Sequence, residues 1–197
     1  MFVALVLAAA SALFGRRMAT RKPVITASAA ARVARFASLL FGGLFAGFLV
    51  AVLVLELPLR RFDASVYTQV RHIELIGWDV LASATLLPAL VATAFLVVVE
   101  RRRGRASWPA RTALVLLVLV FALSSLVNLP INAEQLAWSV QMPPGDWTST
   151  RDLWQLSHVV RTGAAVLALG CLAAAASVTG ERSPLRGAGH RRPSCSI

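Results

Sequence analysis

Cysteine, histidine and acidic side chains are scarce in this chain of 197 residues, and each shortage argues against a class of chemistry. The two cysteines are Cys171, inside an apolar run, and Cys195, in a polar tail, so no disulfide between them is expected. No Cys-x-x-Cys occurs, which removes dithiol redox chemistry of the usual kind. Three histidines without paired His/Cys spacing argue against a dedicated zinc or haem site, and no metal or other cofactor is expected. Only nine acidic residues stand against twenty Lys and Arg, giving a formal net charge of +11. Such a balance often signals nucleic acid. Here the cations flank apolar runs instead of forming one stripe, so no nucleic-acid partner is expected. Internal repeats are absent. The apolar stretch Met1–Phe14 carries its positive charge after it, at Arg16, Arg17, Arg21 and Lys22, the reverse of a secretory signal. It reads as an extension or the product of an upstream start codon, or else as a short membrane-dipping helix.

What the chain does have is apolar length. Hydrophobic residues make up 57% of it, against about 45–50% in a soluble domain. They are gathered into long charge-free runs, the pattern of membrane spans. The reading is all-α: a four-helix transmembrane bundle over 36–178, with spans at about 36–57, 78–99, 112–129 and 153–178. An apolar and basic extension (1–35) precedes it and a disordered basic tail (179–197) follows. Glu56 and Pro58 end the first span, and Asn128 and Pro130 the third. Asp63 is placed to cap a short helix from Ala64, an extension of the second span with Val66, Val70, Ile73 and Gly77 at helical spacing. Pro88 predicts a kink in span two. Gly43 and Gly47 form a G-x-x-x-G pair that either admits a neighbouring helix or reflects the ordinary tolerance of membrane helices for glycine. The segments before span one, between spans two and three and after span four hold fifteen of the twenty Lys and Arg, which places both termini in the cytoplasm. Trp78, Trp138, Trp147 and Trp154 then fall at the outer boundary and Trp108 at the inner one. The bilayer, most simply the plasma membrane, is the expected partner.

The informative polar residues gather where spans three and four meet the outer loop. Arg151, Trp154, His158, Arg161 and Ala165 recur at the spacing of one helical face. Arg161 is followed by an uncharged stretch, so it lies at the hydrocarbon edge or one turn inside it. Either it snorkels to the headgroups or, with Trp154 and His158 above it, it faces inward. Asn128 and Asn132 are one turn apart around Pro130, and amides there need partners from neighbouring helices or end the helix themselves. Glu74 and Asp79 approach from span two; His72, taken alone, reads as solvent-exposed. His158 can accept a proton near neutral pH, Arg161 can stabilise an oxyanion, and the aromatic side chains suit a flat, apolar ligand.

The runs PINAEQLAW (Pro130–Trp138), PPGDW (Pro143–Trp147) and RDLWQLSHVVRTGAAVLAL (Arg151–Leu169) resemble the anthrone oxygenase-like family of small membrane proteins. Pro130, Asn132, Arg151, Trp154, His158 and Arg161 carry the resemblance, which covers roughly Phe36–Val178, with Gly42, Gly43 and Gly47 also similar. It implies oxidation of a polyketide anthrone to a quinone by O2 without a cofactor. His158 would then be the base, Arg161 the holder of the anion, Asn132 the group orienting a carbonyl or phenol, and Trp154 the stacking surface, with Arg151 and Asn128 as further substrate-binding residues. The alternative is a non-catalytic membrane scaffold or small-molecule-binding subunit in which the same residues only fix helix packing.

Overall fold

The computed structural model describes residues 24–104 and 107–177; the extension before Val24 and the basic tail from 179 onward, with Cys195, lie outside the described residues. Apolar runs in a bilayer must satisfy their backbone groups internally, and they do so by closing into helices. The helices are α1 (Val24–Glu56), α2 (Ala64–Leu75), α3 (Trp78–Arg102), α4 (Trp108–Leu136) and α5 (Trp147–Ser177), with no strand among the described residues. All but α2 are long and apolar enough to cross a membrane. The outer face fits that setting: Val33, Phe36, Val54, Val91, Val115 and Leu167 are 64–70% exposed, an apolar belt where a soluble protein would be polar.

The four long helices form a ring in which α1 and α4 each lie against both α3 and α5. The core is built from small residues, Ala46, Ala89, Ala113, Ala165 and Ala168, filled by Phe45, Leu49, Leu117 and Val120. One end is closed by Ala34, Leu96, Ala110 and Ala175, so both ends of the described chain lie there. At the opposite end Val52, Ile131 and Trp154 pack together, and α2 lies across the bundle.

Three details differ from the sequence reading. Gly42, not the Gly43–Gly47 pair, is the tight contact: a methyl group there would stand 3.2 Å from a Leu172 methyl, against 3.9 Å from Leu169 at Gly43 and open space at Gly47. Helix α2 is capped by Asp63 as expected, its carboxylate accepting from the Val66 amide at 2.9 Å. That bond holds the Asp63 carboxyl below its ordinary range. But α2 is a separate helix, and it buries Tyr67, Thr68, Arg71, Glu74 and Leu75 while Ile73 is exposed. Its polar groups and Tyr67 and Leu75 share the face that packs on the bundle end, which leaves the side bearing Gln69 and Ile73 to turn outward. The third helix does not stop at Pro130. Proline lacks the N–H of a regular turn and crowds the carbonyl four residues back. The chain absorbs this with a π-helical turn at Ser124–Asn128, closed by the Leu129 amide donating to the Ser124 carbonyl, and runs on to Leu136.

Gly42→Leu should destabilise the bundle by about 1–3 kcal/mol through overpacking. Gly47→Ala should stay within about 0.5 kcal/mol of wild type. Thermal unfolding in detergent distinguishes them, and equal losses would contradict the Gly42–Leu172 contact.

Candidate active site

At the end remote from the termini, the buried side chains are charged. Arg71 of α2 is fully buried and donates from all three of its nitrogens. Its Nε donates to Gln135 Oε1 at 2.9 Å and Nη2 to Asn132 Oδ1 at 3.0 Å. Its Nη1 donates to both Glu56 Oε1 at 2.7 Å and Glu74 Oε2 at 2.9 Å. Three helices besides α2 thus converge on it, because its carbon also sits 4.2 Å from the centroid of the Trp154 ring on α5. Such a guanidinium is tolerable away from water because two carboxylates and two amide oxygens are supplied to it. Gln135 passes the network on, its Nε2 donating to the Tyr67 hydroxyl at 3.2 Å. Burial pushes the Tyr67 phenol above its ordinary range, the nearby Glu56 adding to it.

Asn132 fixes the next residue. Its oxygen accepts from Trp154 Nε1 at 2.7 Å as well as from Arg71, and its Nδ2 donates to Asp79 Oδ1 at 3.1 Å. The Trp154 ring, so held, stacks on His158 with centroids 4.9 Å apart and planes 4° from parallel. Arg71, Trp154 and His158 therefore form a continuous stack, one face of the indole on a cation and a ring face on the imidazole.

His158 has no exposed surface. Its Nε2 lies 3.0 Å from the Leu49 carbonyl, which can only accept, so Nε2 carries the hydrogen. The Nδ1 lone pair faces Arg161, accepting from Nε at 3.0 Å with Nη2 at 2.7 Å. The Arg161 Nη1 donates to Ser124 Oγ at 3.2 Å, in the π-helical turn. Among the described residues Arg161 makes no ion pair within 4.0 Å; its bonded acceptors are neutral and N–H groups remain over. Pairing of the turn with α5 continues at Asn128, which accepts from Ser157 at 2.8 Å and lies 3.4 Å from the Trp154 carbonyl.

The inward ridge expected on the last helix is present: Arg151, Trp154, His158 and Ala165 are buried and Arg161 is half-buried. Trp154, His158, Arg161 and Asn132 are brought together. Asn128 touches the group through Trp154 and Ser157. Arg151 stands apart, bonded to Asp152 at 3.0 Å and lying over Trp147 at 4.8 Å, where Asp152 also takes Arg60 at 2.8 Å. His72 is half-buried and not free in solvent, its Nε2 3.0 Å from the Gln135 carbonyl, which it reaches because α4 continues past Pro130. Sequence reasoning missed Arg71, Glu56, Gln135, Gln155 and Ser124 as members of this group. The one available signal was Glu56, an acid closing an apolar run with a proline two residues on.

Four apolar spans around a charged, buried end define the class: a multi-pass helical membrane protein with its polar chemistry concentrated at one end. More particularly, residues 78–171 match the family model for anthrone oxygenase, so the chain carries an anthrone oxygenase-like domain, in agreement with the resemblance of Pro130–Leu169. The matched region spans α3 through most of α5 and includes Asn128, Asn132, Trp154, His158 and Arg161; Glu56, Arg71 and Glu74 precede it. No curated protein and no solved structure shows significant similarity to the chain.

Arg71→Met removes the fork while leaving its carboxylates buried, and should cost about 3–5 kcal/mol of stability. Arg71→Lys should recover little of it, since a point cation cannot span four acceptors. Chemical unfolding in detergent measures both, and a lysine variant as stable as wild type would contradict the fork geometry.

Proposed function

We propose that this domain oxidises a flat aromatic ketone of the anthrone type to a quinone, using O2, in the oxygenase chemistry of polyketide biosynthesis, at the end of the bundle built around His158 and Arg161. The observation that carries the reading is the Arg161–His158 pair. A half-buried guanidinium, bonded only to neutral acceptors, covers the lone pair of the one imidazole in the site. An anionic oxygen is a better partner for Arg161 than Nδ1 or Ser124 is. A ligand whose oxygen draws the guanidinium to itself frees Nδ1 to act as a base at the moment negative charge develops.

The reaction balances without a further reductant. His158 Nδ1 takes a proton from the methylene carbon, and the delocalised anion, its charge on the ketone oxygen, is met by Arg161. The carbanion carbon adds O2 and, on reprotonation, becomes a hydroperoxide. Loss of the remaining C–H proton with cleavage of the O–O bond releases water and leaves the second carbonyl. The carbon loses four electrons and the two oxygen atoms gain them, one in the quinone and one in water. In this reading Trp154, stacked with Arg71 and His158, orients the imidazole and is not itself the surface the substrate stacks on. Asn132 and Asn128 position Trp154 and α5, and Arg151 braces the start of α5 through Asp152 and Trp147. The location we propose is the plasma membrane with both termini cytoplasmic, which puts the site at the outer face.

A second reading has an observation in its favour. Both nitrogens of His158 are engaged and the residue is fully enclosed, as in a polar lock that only fixes helix packing.

Membranes carrying the wild type should convert an anthrone to its quinone faster than membranes without it, followed by oxygen uptake and quinone absorbance. His158→Ala should lower the rate by about 10²–10⁴-fold while still inserting, and Arg161→Ala should do so with the loss chiefly in kcat. Equal rates for wild type and His158→Ala would remove the base from the mechanism and leave the polar lock.

A further inference from the structure

The Arg71 half of the cluster has a surplus of acid that the oxygenase reading does not use. Glu56 ends α1 and is fully enclosed; Glu74 lies on α2 and is 7% exposed. Both carboxylates sit on the same nitrogen, Arg71 Nη1. One guanidinium group thus faces two carboxylates in a buried setting, where two like charges side by side are unfavourable. A second observation comes from α5. The Gln155 amide donates to the Glu56 carbonyl at 3.2 Å and lies 3.4 Å from Glu56 Oε2, while its own oxygen, Oε1, is buried with no donor. Gln155 itself is 4% exposed. Acceptors outnumber donors here, and the spot is short of a hydrogen.

We propose that Glu56 and Glu74 hold a single proton between them on Arg71, forming a proton-binding site that ties α2 to the end of α1. Glu74 is the member nearer water and the point of exchange. The neighbouring charges leave the need for that proton in place. On α2, Tyr67 is a neutral phenol bonded to Gln135, and His72 is turned to the Gln135 carbonyl. From α3, Asp79 adds a further negative charge through Asn132. From α5, Arg161 lies beyond the Trp154 ring and is bonded to His158 and Ser124, while Arg151 and Arg60 are engaged by Asp152. Burial, and then the charge of Glu56, push the Glu74 carboxyl up to about 7, with Arg71 opposing. Because this folded-state value is raised, the site's contribution to stability is full below the ordinary carboxylate range and is lost as pH rises through about 7. The site needs no substrate and stands whether or not the domain is an oxygenase.

Infrared difference spectroscopy of the full chain in nanodiscs tests it, with carboxyl-labelled glutamate to assign the band and no substrate present. The expected result is a protonated glutamic-acid carbonyl band that disappears as pH rises through neutrality. It should persist in Glu100→Gln, at the other end of the bundle, and be lost or moved well below neutral pH in both Glu56→Gln and Glu74→Gln. No titrating band in the wild type would overturn the proposal, as would a band left unmoved by Glu56→Gln, which would mean a lone buried acid. If either glutamine variant fails to fold, the wild type and Glu100→Gln decide: a neutral-range glutamic-acid band absent from the first, or abolished in the second, overturns the site. The thermal midpoint of wild type should fall from mildly acid to mildly alkaline pH, and more steeply than that of Glu74→Gln.

Discussion

A guanidinium with no exposed surface governs the architecture of this end of the molecule. Arg71 cannot be buried unless its N–H groups are met, and its acceptors are spread over α1, α2 and α4. The bundle end is therefore assembled or not as a unit. The short helix α2 is held over the spans by this charge together with the packing of Tyr67 and Val70 against Leu59 and Trp138, and its one isoleucine, Ile73, points outward. From Arg71 the order runs onward through Trp154, held on one side by the cation and at its N–H by Asn132, to the imidazole stacked on it. A single buried charge thereby sets the orientation of a histidine two residues away in the chain of contacts.

The two halves of the cluster have opposite electrostatic characters. Around Arg71 there is more acid than base, and one more hydrogen would satisfy it. Around Arg161 there is a cation with neutral acceptors, receptive to an anion. Both guanidinium groups lie over the Trp154 ring, Arg71 at 4.2 Å and Arg161 at 5.6 Å from its centroid, and the hydrogen-bonded partners of each are its own. The anion-receptive half belongs to the anthrone oxygenase-like region, whereas the acid-rich half is supplied by α1 and α2.

Pro130 shows how a residue that normally interrupts a helix can organise a site. The π-helical turn before it brings Ser124 to Arg161 and Asn128 to Ser157. The continuation after it delivers Asn132 and Gln135 to Arg71. A helix that stopped at the proline would leave that guanidinium without two of its acceptors.

Much of this was legible in the residues themselves, because it depends on local regularities. Apolar length marked the four spans, Asp63 marked the start of α2, and the recurrence of Arg151, Trp154, His158 and Arg161 marked one inward face of α5. Asn132 and Asp79 were recognisable as polar groups in want of partners. The centrality of Arg71 was not legible, since its acceptors lie on other helices and nothing in its neighbours distinguishes it from any outer-loop arginine. The same holds for Gly42 over Gly47, for the engagement of both His158 nitrogens, and for the path of α4 beyond Pro130. Sequence alone determined which segments are helical, apolar and capable of spanning, because turn period and hydrophobicity act over a few residues. Tertiary structure alone decided which charges are paired and which are left receptive, because that rests on the docking of helices whose contacts are far apart along the chain.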